Sequence, residues 1–405
     1  MTMSPSVVEH PTLPTSDIDP FSTEFLEDPH PFHAQLRDLG PVVHLTHYDC
    51  LAVARYAEVH RALTDWQSLQ SGAGVGLSNF NHEEPWRPPS LLLEADPPRH
   101  DAPRAALQQL LSPRRLRDLA EQWTADAAAL VDEVLARGTE FDAVTAFAEV
   151  FPLRVFPDAV GLGPDGREHL LPYGDFAFNA FGPQNERVTG PARTIGPTLA
   201  WIGEQTRRDN LAAGGLGAQI WAAADRGEIT HEQAPLIVRS LLTAGVDTTV
   251  TGIASTVHAL AANPTQWQRL KEDRRLLPRA FEEAVRLESP VQTFFRTTTT
   301  ETTISGATIP ADRKVLMFLG AANRDPRRWT DPDAFDLTRD PSGHVGFGMG
   351  LHQCVGQHVA RLEAMAVVGA LLDRIDRIEL TGPARRHLNN TLRGWESIPV
   401  RVHTS

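Results

Sequence analysis

The residues best suited to chemistry gather in GFGMGLHQCVG, residues 346–356, where four glycines surround one histidine and one cysteine. The chain has only two cysteines. A free thiol is ordinarily a small core residue. Four clustered glycines point elsewhere, to close backbone approach or positive φ. Three further groups stand upstream. Asp247 and Thr248 are adjacent polar residues inside an apolar stretch of helical pattern. Glu283 and Arg286 are spaced i, i+3, so a helix puts them on one face. Arg87 and Ser90 lie in a long irregular segment, and long loops in compact proteins usually serve a function.

Four chemistries compete for the cysteine loop. A structural cysteine leaves the glycines unexplained. A dinucleotide loop needs G-x-G-x-x-G after a strand, but position 351 is Leu and a Pro- and Asp-rich coil precedes the motif. A zinc site from His344, His352, Cys354 and His358 has no C-x-x-C and no common spacing. A cysteine thiolate on haem iron accounts for the pattern. Glycines let the backbone lie against a flat macrocycle. A helix starting near Val355 aims free N–H groups and its positive end at the sulfur, which favours the thiolate. His352 and nearby donors can pair with the haem carboxylates.

At these residues the sequence resembles a family. Phe347, Gly348, Gly350, His352, Cys354 and Gly356 match the haem-binding signature of the cytochrome P450 monooxygenases. The resemblance implies a mainly α fold with small β-sheets, a single triangular helical domain around haem b (iron protoporphyrin IX). It implies Cys354 as the axial ligand, with Phe347 and Gly348 against the macrocycle. Arg296, in FFRTTT, and His100 with Arg104, one helical turn apart, are implied to hold the haem carboxylates; a solvated helix face is the ordinary alternative for the latter two. Glu283 and Arg286 would be a surface pair in isolation; the resemblance implies a buried pair joined by Arg339. A threonine hydroxyl can bond back to the carbonyl four residues earlier and open a helix. The resemblance implies that Asp247 and Thr248 deliver protons to bound oxygen, and that O2 with two electrons is the oxidant.

The resemblance sharpens in the blocks PWRPPSLLLEADPPRH, FNAFGP, VRSLLTAGVDTT and NNTLRG. These look like bacterial members that oxidise para-substituted benzoates, 4-methoxybenzoate above all. A benzoate needs a flat apolar slot and charge-assisted donors for its carboxylate. By resemblance Arg87, Ser90 and Ser240 meet the carboxylate and Arg239 closes the pocket behind it. Thr243 stands where serine is expected in those relatives. Phe178, Phe181 and Phe294 are implied to form the ring slot, with Ala244 grouped beside them; core packing is their ordinary role. Leu93 and Met317 are weaker candidates for the same lining. The implied reaction is O-demethylation to 4-hydroxybenzoate and formaldehyde. A hydroxylase of another small apolar or aromatic substrate, and a non-catalytic haem sensor, are the alternatives. Electrons are expected from a separate ferredoxin and its reductase, docking near Cys354 with help from Arg361.

The elements that must position these residues can be read from pattern. Residues 1–20 are polar and proline-rich and read as a loose arm; 21–405 read as one catalytic domain. Residues 29–40 predict a helix stopped by Gly40, and 41–56 a hairpin. Residues 98–275 are helical in pattern, with 232–264 the longest and most apolar stretch. Residues 278–290 predict another helix, the following stretch strands, and 355–375 an amphipathic helix. Net charge is −13, which argues against nucleic acid as a partner. Two cysteines cannot build a disulfide framework, so a cytoplasmic protein is expected. There is no uncharged apolar run of 18 residues, so no membrane anchor is expected, and a monomer is.

Overall fold

Runs rich in valine, threonine and phenylalanine pair into the largest sheet of the computed structural model, which describes residues 13–404. Its strands are β1 (Thr15–Ser16), β2 (Val43–Leu45), β3 (Cys50–Val53), β4 (Leu69–Gln70), β5 (Thr293–Thr298) and β6 (Lys314–Phe318). Their order is β1-β2-β3-β6-β5-β4. The hairpin expected over 41–56 is β2–β3, with Val43 opposite Ala52 and Asp49 left-handed in the turn. β3 and β6 run parallel, and β5 lies antiparallel to β6 with Phe294 opposite Met317. β6 is buried at every position, which explains its apolar run from Val315 to Phe318. Cys50 lies in this sheet, and burial pushes its thiol up to about 12, so it is inert.

Residues 1–12 of the expected arm lie outside the described residues. From Leu13 on the chain is tied down rather than loose: β1 pairs with β2, and Ile18 and Phe21 are buried. The helices that matter here are α1 (Asp101–Leu110), α2 (Arg117–Leu135), α3 (Leu170–Asn179), α4 (Gln233–Ala244), α5 (Asp247–Ala262), α6 (Leu277–Glu288) and α7 (Gln357–Arg374). Every residue of α5 from Thr249 to Val257 is buried, and the helix packs on α6 and α7. That interior position requires an apolar surface all round. By length and composition Gln233–Ala262 could cross a bilayer; here it is core.

The helix expected over 232–264 is in fact two, interrupted at Gly245 and Val246. The cause is local. A Cβ at 245 would lie 2.2 Å from the Phe156 ring. The Thr248 hydroxyl donates to the Ala244 carbonyl at 2.9 Å, drawing side-chain donors into the helix ladder.

The proline-rich coil 324–341 has no regular structure but is rigidly held. Glu283 and Arg286 project from α6 into the interior, both 0% exposed. Arg286 Nε and Nη2 donate to the two Glu283 oxygens at 2.7 and 2.8 Å. Its other N–H groups reach the carbonyls of Asn323, Pro332 and Ala334. Arg339 Nε donates to Glu283 at 3.0 Å and its Nη groups reach the carbonyls of Thr330 and Asp331. All five Arg286 donors are used, the condition under which a buried charge is tolerated. The chain passes from this cluster straight to the cysteine loop: Asn323 Oδ1 accepts the Val345 N–H at 2.7 Å.

Removing Arg286 leaves the buried Glu283 carboxylate with Arg339 as its remaining charged partner. Arg286→Leu is expected to cost about 3–5 kcal/mol in equilibrium unfolding by denaturant. A loss under about 1 kcal/mol would match only an exposed pair.

Candidate active site

A cavity lies between the cysteine loop, α4 and α5, and the irregular segment after β4. Gly348 and Gly350 of the loop take φ +67, the left-handed region where glycine carries no penalty. The turn they make lets the Cys354 N–H donate to Phe347 O at 2.8 Å. Cys354 then precedes α7 directly. Burial lifts its thiol above the usual range, opposed by the Gly356 N–H, the Arg104 and Arg361 charges and the Gln357 N–H. These amides belong to the start of α7, the arrangement that stabilises a thiolate. His344 bonds Glu282 instead of joining a ligand set, and among the described residues no three His, Cys, Asp or Glu side chains gather as a metal site.

His352 differs from expectation. Both its ring nitrogens are engaged, with Leu92 O at 3.0 Å and Asp96 Oδ1 at 3.1 Å. It therefore ties the cysteine loop to the 70–98 segment rather than standing free for a haem carboxylate. Burial would raise Asp96, but His352 and the Gly72 and Ser71 amides hold it below the usual carboxylate range. Arg361 is also committed. It pairs with Glu282 and stacks on Phe347 at 4.7 Å.

Three buried donors are underused. Arg296 makes one hydrogen bond, to Phe295 O, and burial brings it down to about 10. Among the described residues neither ring nitrogen of His100 nor Arg104 Nε has a hydrogen-bond partner, and Asp101 Oδ1 lies 3.7 Å from His100 Nδ1. Burial, then the His352 and Arg104 charges, lower His100 to about 4. Buried unpaired donors are costly unless an acceptor arrives. The donor set therefore fits a buried, doubly anionic group such as the haem carboxylates, with Phe347 lining the cavity beside it.

A second polar cluster lines the same cavity. Ser90 Oγ and Ser240 Oγ are 3.2 Å apart, and Arg239 Nη2 donates to Pro88 O at 2.6 Å. Arg87 is not idle: its Nη1 donates to Glu94 Oε2 at 2.8 Å. Its Nε is buried and has no partner among the described residues. Burial, then the nearby Arg87 charge, lower Arg239. Thr243 donates to Arg239 O at 2.9 Å and lies 3.2 Å from the Tyr173 hydroxyl, so its alcohol is engaged with the wall. Phe178, Phe181 and Phe294 stand edge to face in series, with centroids 5.9 and 5.8 Å apart. Ala244 and Leu93 line the cavity too. Met317 does not; it is buried within β6.

Asp247 also departs from expectation. Thr248 lines the cavity, but the Asp247 carboxylate turns away and packs on α3, where a Cβ at Gly174 would collide with Oδ2. Burial, then the Asp175 and Glu149 charges, push it well above the carboxylate range. Asp175 pairs in turn with the half-exposed His387 at 2.7 Å. Sequence reasoning missed Phe156 and Glu94. Nothing marks Phe156 among apolar helix residues. Glu94 does carry a signal, a lone acid directly after three leucines.

The sequence profile of the family described as Cytochrome P450 matches residues 202–379. Cytochrome p450 CYP199A2 of Rhodopseudomonas palustris is 54% identical over 409 residues, 99% of each chain. Cytochrome P450-terp of a Pseudomonas species is 31% identical over 323 residues, 76% of each chain. The structure of cytochrome P450 CYP109Q5 from Chondromyces apiculatus superposes with TM-score 0.80 at 29% identity, over 96% of this chain and 98% of that one. That of cytochrome P450 CREJ in complex with (4-ethylphenyl) dihydrogen phosphate gives TM-score 0.86 at 24% identity, over 95% and 99%, a likeness of fold alone.

Arg104→Leu and Arg296→Leu are each expected to lower haem retention, read as the ratio of Soret to protein absorbance, with the far-ultraviolet spectrum unchanged. A ratio equal to wild type in both would contradict the assignment of these donors to an anionic group.

Proposed function

The chain belongs to the cytochrome P450 family and is a haem-thiolate monooxygenase, and on that premise we propose that it oxidises a para-substituted benzoate. The reaction is O-demethylation of 4-methoxybenzoate to 4-hydroxybenzoate and formaldehyde. The carrying observation is the polar cluster of Arg87, Ser90, Arg239 and Ser240 beside three edge-to-face phenylalanines in one apolar cavity. A carboxylate held there is fixed at one end and its ring is clamped, so the para substituent is the group presented to the rest of the cavity. That is selection by proximity and orientation.

In this reading Cys354 would hold the haem iron through its sulfur, and Arg296, Arg104 and His100 would hold the haem carboxylates. The haem, when bound, supplies dioxygen activation and oxygen-atom insertion into a C–H bond. One oxygen atom enters the methyl group, and the other leaves as water with two electrons and two protons. The resulting hemiacetal releases formaldehyde. An iron–sulfur ferredoxin with its reductase supplies the electrons, as the resemblance implies.

The protein's own task is positioning and proton supply. The Thr248 hydroxyl reaches the cavity from the broken helix while held by Ala244 O. Burial, then the Asp175 and Glu149 charges, disfavour the Asp247 carboxylate and favour its protonated form. Asp175, whose charge acts on Asp247, pairs with the half-exposed His387. Rotation of the Asp247 carboxyl off Gly174 toward Thr248 moves a proton inward. Glu94 on Arg87 favours a second reading, oxidation of a neutral aromatic, because it offsets the guanidinium charge.

Two variants test these roles. Arg87→Leu is expected to weaken 4-methoxybenzoate binding about 10- to 100-fold, the worth of a charge-assisted bond, in a spin-state absorbance titration. Binding of neutral 4-methoxytoluene should not change. Equal effects on both ligands would support the neutral-substrate reading. Asp247→Asn is expected to lower kcat about 100-fold or more with substrate affinity kept; an unchanged kcat would remove Asp247 from proton supply.

A further inference from the structure

Glu94 is the one acidic side chain built into the arginine and serine cluster. It is 3% exposed, and its Oε2 accepts from Arg87 Nη1 at 2.8 Å and from the Ser90 N–H at 2.7 Å. An acid this deep in an apolar segment, following Leu91, Leu92 and Leu93, is retained only if it is fully partnered. Its partners are the residues that face the cavity. Arg87 and Arg239 contribute two guanidiniums, and Glu94 cancels one, leaving a single net positive charge. The bond also occupies only Nη1 of Arg87. The buried Nε, without a partner among the described residues, is left for a ligand.

We propose that Glu94 is a specificity-determining residue that sets the charge of the ligand: it restricts the head group to a monoanion and holds Arg87 in the orientation that receives it. The inference rests on the benzoate reading and deepens it. A monoanionic head group neutralises the remaining charge. A dianion of the same shape would place a second negative charge beside the Glu94 carboxylate, where the apolar surroundings magnify repulsion. With Glu94 neutral the site would carry two positive charges and lose that discrimination.

The test uses two ligands of one shape and different charge. These are 4-methoxybenzenesulfonate, a monoanion, and 4-methoxyphenylphosphonate, a dianion above its second ionisation. Both are titrated by spin-state absorbance into haem-loaded wild type, Glu94→Gln and Glu94→Asp, with 4-methoxybenzoate alongside. Wild type should favour the sulfonate. In Glu94→Gln the sulfonate-to-phosphonate affinity ratio should move about tenfold or more toward the phosphonate. Glu94→Asp, which keeps the charge, should restore the wild-type ratio. A ratio unchanged in Glu94→Gln, with both affinities falling together, overturns the proposal and leaves Glu94 a packing residue. A wild type that favours the phosphonate overturns it without use of any variant. A wild type that binds none of the three anions overturns the benzoate reading and this inference with it. Benzoate binding with an unshifted ratio overturns this inference alone.

Discussion

The structure depends on a buried carboxylate that two guanidiniums must satisfy. Arg286 and Arg339 both reach the buried Glu283 carboxyl, and neither arginine can be buried without placing its remaining donors. Those donors find the carbonyls of a coil that has no secondary structure of its own. The ion cluster thus gives shape to residues 324–341. Through Asn323 it also fixes Val345, from which the loop continues to Cys354. The sulfur is held at the start of α7 by interactions that begin on α6.

A second constraint acts from the other side of the cavity. α4 and α5 follow one another through a break beneath the Phe156 ring, so one stretch of chain serves two functions. Ser240 belongs to the polar cluster, and Thr248 follows it in the chain on the far side of the break. A ligand gripped at Ser240 is therefore measured against the same element that presents the Thr248 hydroxyl. Regioselectivity and proton supply share a single ruler.

The cysteine loop was legible because glycine spacing, one histidine and one cysteine form a long pattern with a physical reason at each position. The E-x-x-R pair was legible as helix spacing, and its burial only through resemblance, since i, i+3 alone describes many exposed pairs. The structure brings the polar cluster and the three phenylalanines to one cavity. What could not be read was direction. Asp247 turns toward α3 because Gly174 leaves it room, a fact held 73 residues away in the chain. His352 and Arg361 carry the right chemistry for the roles expected of them but are claimed by Asp96 and Glu282. Side-chain partners across the fold decide each of these, and periodicity does not report them.

The central claim is that an anchored carboxylate delivers the para substituent to the oxidising centre. The measurement that meets it most directly is the product balance from 4-methoxybenzoate, dioxygen and an NADH-driven ferredoxin chain. The account predicts 4-hydroxybenzoate and formaldehyde in equal amounts, with no product from the ortho-methoxy isomer. Ring-hydroxylated product, or equal turnover of both isomers, would contradict it.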